Sequence, residues 1–474
     1  MAKNSLLLRA RRFTGRKTPD TDPEAAVQET VRDADSARQD VLRLALPAMG
    51  EQMLSMMVGV VDTFLVGHLG AAPLAAVGLS NQWVFLAMAL FSAVATGTTA
   101  LVARAVGAQE PEQANRVLRQ SMLVGAVLGL LSMLLGVLLA RPAVLALGAP
   151  ADVIEPGTAY LRTVSTTFFF ATLMFVGNAA LRGAGDTRTP LYVMLVVNVL
   201  NIVVAWTAIN GPFGLPQLGV VGSALGATVG RLAGGLLIVA ILLRGRAGIR
   251  LRLHRLRPEP DVIRRVLRIG LPSGAEQFLF STGYMAFARV LATLGTAAFA
   301  ANQIAINVHS MSFLPGFGFA VAATTLVGQK LGAREPEEAE SRGYTAYRLG
   351  ALLMSAIGVA ILLFPAQLMG FFTNDPEVVA AGIMPLRLVG LIQPLVASAM
   401  IFAGGLRGAG DTRYPMVITG GSIWLLRVPL AYLFGLTLGW GLTGAWVGMA
   451  ADLGVRGVLN YLRYRGGAWK KLEV

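Results

Sequence analysis

The sequence predicts an all-α integral membrane protein, with twelve transmembrane helices in two parallel-repeat six-helix bundles around a central cleft. Three observations carry this. Of 474 residues, 55% are hydrophobic and 14% charged, against about 25% charged in soluble proteins, and the mean hydropathy is +0.62. Apolar runs of roughly 20 residues, long enough to cross a ~30 Å hydrocarbon core as helices, recur about twelve times. The chain also states one pattern twice at a constant offset of 225 residues. Leu46-Pro47 returns as Leu271-Pro272, Glu51-Gln52 as Glu276-Gln277, Gly107-Ala108 as Gly332-Ala333, Glu110-Pro111-Glu112 as Glu335-Pro336-Glu337, and Leu181 to Arg188 as Leu406 to Arg413, letter for letter. A fixed offset over so long a stretch means that one unit was duplicated and both copies kept their helix lengths.

The runs fall near 44–69, 79–103, 120–140, 158–181, 191–210 and 219–243, then 265–291, 300–328, 345–367, 379–405, 415–436 and 441–462. They are too long and continuous for barrel strands, and backbone groups in lipid must be paired internally, so helices are expected. Residues 41–243 form an N-lobe of helices 1–6 and 265–462 a C-lobe of helices 7–12, joined by a cytoplasmic linker at 244–264. Residues 1–40 are polar and mixed in charge, with no apolar core after their basic start. They are expected to be a disordered cytoplasmic tail that leads into a short surface helix, not a signal peptide. Residues 463–474 form a basic C-terminal tail.

Arginines fix the orientation. With the N-terminus inside, the inner loops hold Arg104, Arg116, Arg119, Arg182, Arg188, the run Arg244 to Arg268, Lys330, Arg334, Arg342, Arg407 and Arg413, and the outer loops little beyond Arg141 and Arg162. That asymmetry places both termini in the cytoplasm. Six crossings per copy start both copies on the same side, so the repeats are parallel and related by an axis along the membrane normal. The net charge of +14 then reads as topology and lipid headgroup contact, not nucleic-acid binding. The absence of cysteine excludes disulfides and thiolate metal sites. Arg in preference to Lys, with abundant Ala and Gly, suits a bacterial cytoplasmic (inner) membrane protein.

Enzymatic chemistry finds no support. His68, His254 and His309 lie far apart, and the nucleophile, nucleotide and zinc motifs are missing. The Gly-rich stretches lie inside apolar helices, where small residues permit close packing. No catalytic residue and no cofactor is expected.

What remains is the set of ionisable groups at membrane depth, costly to insert and functional by default: Glu51, Asp62, Arg231, Glu276, Arg289, His309, Arg427 and Asp452. Glu51 and Glu276 are repeat mates, whereas Asp62 has Phe287 as its counterpart. An unrepeated buried acid suits a directional cycle better than a repeated one, so Asp62 is the expected coupling group. It lies about three helical turns beyond Glu51 and on the same face, roughly 16 Å away. Burial disfavours the charged form of a carboxyl, so such a group takes up a proton on one side and releases it on the other as its surroundings change. The plainer reading of Asp62 is a hydrogen bond that fixes helix packing. For Glu51 and Glu276 it is complementing the start of a helix after Pro47 and Pro272. Arg289 and Asp452 are expected to sit near helix ends or to pair across the C-lobe, since an unpaired charge in hydrocarbon is costly.

The helix-one pattern Val61 to Gly70 (VDTFLVGHLG), the two LRGAGDTR copies that close the fourth and tenth helices, and the run Gly219 to Gly226 resemble the multidrug and toxic compound extrusion (MATE) family, in its prokaryotic branch, from about residue 41 to 462. The resemblance implies a secondary antiporter that expels cationic amphiphilic compounds in exchange for protons or sodium, cycling between two lobe arrangements. It makes Asp62 the first-helix carboxylate of the family, with Asn178 and Asn201 as the asparagines around it and Ser223 as a nearby hydroxyl. A sodium ion at Asp62, Asn178 and Asn201 is then conceivable. Two family acids are missing here, replaced by Ala205 and Val396, which removes oxygen ligands from a sodium site and favours the proton.

The expected substrate lining is Glu51, Gln52, Met53, Met56, Glu276, Gln277, Phe278, Phe280, Tyr284, Gln303 and Asn307, because methionine surfaces re-pack around varied ligands and amides supply hydrogen bonds. Expected partners are the bilayer and small cationic amphiphiles, with the protein a monomer. A flippase for a lipid-linked oligosaccharide or phospholipid is the alternative. It would want a cleft dominated by Arg and Lys, whereas Glu51, Asp62 and Glu276 predict an acidic cleft that suits cation export.

Overall fold

The computed structural model describes residues 23–212, 216–252 and 257–472, with side chains from residue 35 onward. The spanning helices are α1 (Pro23–Gly67), α2 (Ala71–Gly107), α3 (Pro111–Leu138), the bent pair α4 (Ala151–Ser165 and Phe168–Gly183), α5 (Arg188–Asn210), α6 (Val220–Arg244), α7 (Pro260–Ala292), α8 (Thr296–Gly332), α9 (Pro336–Leu363), α10 (Pro376–Gly408), α11 (Arg413–Thr437) and α12 (Gly441–Arg465). Among the described residues nine of these are long and apolar enough to span alone, and α4 spans as a pair bent by 51°. The remaining two, α7 and α12, fall short on composition, with Glu276 and Gln277 in the middle of α7 and Asp452 and Arg456 within α12. The fold is the expected twelve-helix, two-bundle arrangement.

The helices begin earlier than the apolar runs suggest. Pro47 and Pro272 do not start helices but lie inside α1 and α7, so Glu51 and Glu276 are mid-helix and complement no helix end. α1 reaches back to Pro23, so residues 23–40, expected as tail, are helical; residues 1–22 lie outside the described residues. At the other terminus Trp469 is fully buried and stacks on Tyr464 at 4.7 Å between ring centroids. The C-terminal segment is therefore docked up to Leu472, and residues 473 and 474 lie outside the described residues.

These added turns exchange between the lobes. Val41, Leu44 and Ala45 of α1 pack into the apolar core of the C-lobe, and Val262, Val266 and Ile269 of α7 into that of the N-lobe. Val41 and Val266, and Leu44 and Ile269, are themselves repeat mates. Each exchange is tied by ions: Arg342 of α9 lies 3.2 Å from Asp40, and Arg116 of α3 lies 2.6 Å from Glu259 just before α7. Gln120 and Asn115 of α3 also hold the linker, through Arg257 and Arg250 backbone groups. The linker residue His254 lies outside the described residues.

Toward the arginine-rich end the two bundles touch closely. α2 and α8 cross at Gly107 and Gly332, where a Cβ on Gly107 would fall on the Gln329 carbonyl and one on Gly332 on the Arg104 carbonyl. Only glycine permits so close a backbone approach. Arg104 and Gln329, repeat mates, each reach across the lobe boundary. Arg104 donates to the Ala409 carbonyl at 2.8 Å and Gln329 to the Gly183 carbonyl at 3.0 Å. Thr325 adds a bond to the Arg182 carbonyl at 2.9 Å. Away from this end, α1 exposes Met53, and α8 exposes Gln303 and Asn307.

Candidate functional site

The cleft ends in a cavity of about 420 Å³ between the lobes, walled by α2 and α4 on one side and by α7, α8, α10, α11 and α12 on the other. Phe280, Phe313, Phe317, Phe175 and Met400 supply its apolar surface, and Ser273, Gln277, Thr419 and Asn460 its polar groups. Its charged lining is Arg182, Arg407, Arg456 and Glu276.

The two repeated acids do not present open carboxylates. Arg182 Nη1 donates to both oxygens of Glu51, at 2.9 and 3.1 Å. Arg407 Nη2 donates to both oxygens of Glu276, at 2.7 and 2.9 Å, and Thr419 Oγ1 adds a third bond at 2.9 Å. Both pairs span 131 residues, so one ion pair was duplicated with the fold. The acidic cleft expected from Glu51, Asp62 and Glu276 is absent, because the arginines that close α4 and α10 turn inward to neutralise two of these acids.

A third acid, Asp452 of α12, is fully buried between two arginines. Arg427 reaches Oδ2 through Nε at 2.8 Å and Nη2 at 2.7 Å. Arg456, one turn along the same helix, donates through Nε to Oδ1 at 2.8 Å and through Nη2 to Oδ2 at 2.7 Å. Asp452 is held by Arg427 and Arg456 and not by Arg289, the partner across the C-lobe that the sequence suggested. Arg427 sits in a widened, π-helical stretch of α11, Ile423–Arg427, that recurs at Ala431–Thr437. Pro429 has no N–H to donate, so the regular ladder shifts register around it.

Asp62 stands apart. It is buried, at 7% exposure, yet makes no ion pair within 4 Å among the described residues. Asn201 Nδ2 approaches its Oδ1 at 3.5 Å. Ser223 borders the same carboxyl with its hydroxyl not aligned for a direct bond, and Arg231 of α6 lies near enough to act on it electrostatically. The buried oxygens Asn178 Oδ1, Asn198 Oδ1, Asn201 Oδ1 and Ser223 Oγ, with Arg231 Nη1, have no hydrogen-bond partner among the described residues. Asn178 is buried in α4, but no hydrogen bond joins it to Asp62. Amide and hydroxyl oxygens beside one carboxylate suit a small cation, and the nearby guanidinium opposes a sodium ion there.

Of the predicted substrate lining, Glu276, Gln277 and Phe280 line the cavity and Glu51 stands behind it on Arg182. Gln52, Met53, Met56, Phe278, Tyr284, Gln303 and Asn307 do not line it. Met53, Met56, Phe278, Gln303 and Asn307 are exposed on α1, α7 and α8. His309 is held among Ser312, Phe313 and Trp446. Arg182 and Arg407 were missed because arginines at helix ends read as topology signals. Their equal 131-residue distance from Glu51 and Glu276 was the signal that could have found them.

The MatE family model matches residues 47–207 and again 272–433. A probable multidrug resistance protein NorM of Thermotoga maritima is 35% identical over 441 residues, covering 92% of this chain and 94% of that protein. A solved outward-facing multidrug resistance MATE family transporter of the MOP superfamily is similar with a TM-score of 0.86 at 26% identity, covering 92% of this chain and 97% of that one. A MOP superfamily transporter from Pyrococcus furiosus, for which a reverse polarity of the binding pocket was described as suggesting a different function, is similar with a TM-score of 0.85 at 25% identity over the same shares.

Proposed function

The chain belongs to the MatE family, whose members are membrane transporters and not enzymes, and from that premise we propose that it is a secondary active multidrug exporter that works by alternating access and is driven through Asp62. The observation that carries this reading is the isolation of Asp62. Of the four acids inside the spans, Glu51, Glu276 and Asp452 are each locked to arginine within 3 Å, and only Asp62 has its charge open to change. Losing the charge of an arginine-paired acid would strand a buried cation at a cost of about 3–5 kcal/mol. Neutralising Asp62 strands none in contact with it.

With the arginine-rich loops in the cytoplasm of a bacterial inner membrane, the described arrangement is outward-open, because the cleft is closed by the Gly107 and Gly332 crossing at the inner end. In the cycle, a proton arriving from outside neutralises Asp62, the N-lobe repacks, and the passenger is released from the cleft. Return to the inward-open state frees the proton and admits the next passenger. Coupling follows only if passenger and proton have different affinities in the two arrangements. Efflux from proteoliposomes under separately imposed proton and sodium gradients tests this. Efflux driven by sodium alone, and unchanged in Asp62→Asn, would overturn it.

A second reading is favoured by the cavity wall. Three guanidiniums there suit translocation of a lipid-linked saccharide or phospholipid bearing phosphate, in place of the cationic amphiphile expected from sequence.

A further inference from the structure

We propose that the cavity binds the anionic group, a carboxylate or phosphate, of an amphiphilic passenger, with Arg456 as its principal ligand. The proposal deepens the transport reading, since it names the class of molecule that the cleft would carry.

The charge count is the first argument. The cavity wall shows Arg182, Arg407 and Arg456 against Glu276 alone. The other countercharges, Glu51 and Asp452, stand behind that wall. Taken with them, four guanidiniums (Arg182, Arg407, Arg427 and Arg456) face three carboxylates, and each carboxylate is already bonded. One positive charge at membrane depth has no counter-ion among the described residues, which is costly unless a ligand supplies one.

The geometry says where that charge is presented. Asp452 and Ser422 occupy Nε and Nη2 of Arg456, the serine at 2.9 Å. Nη1 has no partner among the described residues, and the side chain is only 6% exposed and lines the cavity. Asp452, shared by two arginines, cannot satisfy both. Ser273 Oγ, buried on the same wall, also has no partner among the described residues. Guanidinium N–H groups donate and cannot accept, and donors of this kind select oxyanions over ammonium groups. Phe280, Phe313 and Phe317 beside them receive an apolar tail.

The test uses purified full-length protein in nanodiscs of uncharged phosphatidylcholine, titrated with two dansyl-undecyl amphiphiles that differ only in a terminal carboxylate or trimethylammonium. Binding is read by energy transfer from tryptophan. The carboxylate is expected to bind at least tenfold tighter than the ammonium, and Arg456→Gln to remove that preference. Equal or tighter binding of the ammonium, or an unchanged preference in Arg456→Gln, overturns the proposal. If Arg456→Gln does not fold, the wild-type preference alone decides, with Arg456→Lys as the second variant. Displacement by inorganic phosphate would show that the anionic group alone is recognised. Displacement by phosphatidylglycerol but not phosphate would make a lipid the passenger. An intact carboxylate preference without transport of either amphiphile would remove the exporter reading and leave the site.

Discussion

Arg231 on α6 and Arg456 on α12 hold the same place in the two repeats, 225 residues apart, yet keep different company. Arg231 lies near Asp62, contributed by α1, without an ion-pair contact. Arg456 is bonded to Asp452 of its own helix and shares that acid with Arg427. Duplication therefore gave each lobe an arginine on its last helix, and divergence put an acid from another helix beside one and a second arginine beside the other. On the proposed function, the asymmetry divides labour: the N-lobe would hold the site whose charge changes, and the C-lobe one whose charge is fixed.

Asp62→Asn is expected to lower proton-driven efflux at least tenfold while the protein stays folded, because Asn keeps the size and the hydrogen bond to Asn201 but cannot exchange a proton. Dye efflux from everted vesicles across a pH gradient measures the first, and the thermal melting curve the second. Retained efflux with normal pH dependence would exclude Asp62 as the coupling group.

The Glu51–Arg182 pair makes a separate prediction about stability. Both side chains are largely buried, at 10% and 14% exposure, so Glu51→Gln leaves a guanidinium unpaired and is expected to cost about 3–5 kcal/mol. Glu51→Met combined with Arg182→Met removes both charges and is expected to cost less than either single change. Melting of the purified protein, followed by tryptophan fluorescence, decides; additive losses would mean that the two residues act independently.

That pair also shows where the sequence is legible. The duplication was plain, because a fixed offset survives whatever lies between its matches, and the twelve spans follow from lipid excluding unpaired backbone. The partner of Glu51 was not legible. Arg182 closes a helix, where arginine reads as a topology signal, and nothing local reveals that its side chain turns inward. The sign of the cleft was misread for the same reason, since acids in spans were counted and arginines at their ends were not. The exchange of Val41 and Val266 between lobes escaped notice because both precede prolines that resemble helix starts.

Acid should loosen the linker before the spans. The guanidinium of Arg116, bonded at 2.6 Å, holds the Glu259 carboxyl below its ordinary value of 4.5. A carboxyl whose folded value is depressed gives stability that is present above that ordinary value and lost as pH falls through the lower, folded one. Hydrogen exchange at residues 257–263 is therefore expected to rise on acidification through and below pH 4.5, and Glu259→Gln to show the raised exchange already at neutral pH. Equal protection in wild type and variant at neutral pH would mean that the ion pair does not hold the linker.

The crossing of α2 and α8 makes the last prediction. A side chain at Gly107 or Gly332 would strike the backbone carbonyl of the opposite lobe, and neither helix can yield without parting the lobes at their arginine-rich end. Gly107→Val and Gly332→Val should each destabilise the closed inner end, and the double variant more than either, because both strike the same crossing. The chain has no cysteine, so a single Thr324→Cys in the cavity wall reports access cleanly. Its labelling by a membrane-impermeant maleimide from the cytoplasmic side is expected to rise severalfold in the valine backgrounds and to fall from the outer side. Arg104→Ala, which loses the latch to Ala409 but keeps the glycine crossing, should move the labelling the same way by a smaller amount. Labelling unchanged in all four backgrounds would show that this crossing does not control entry to the cavity.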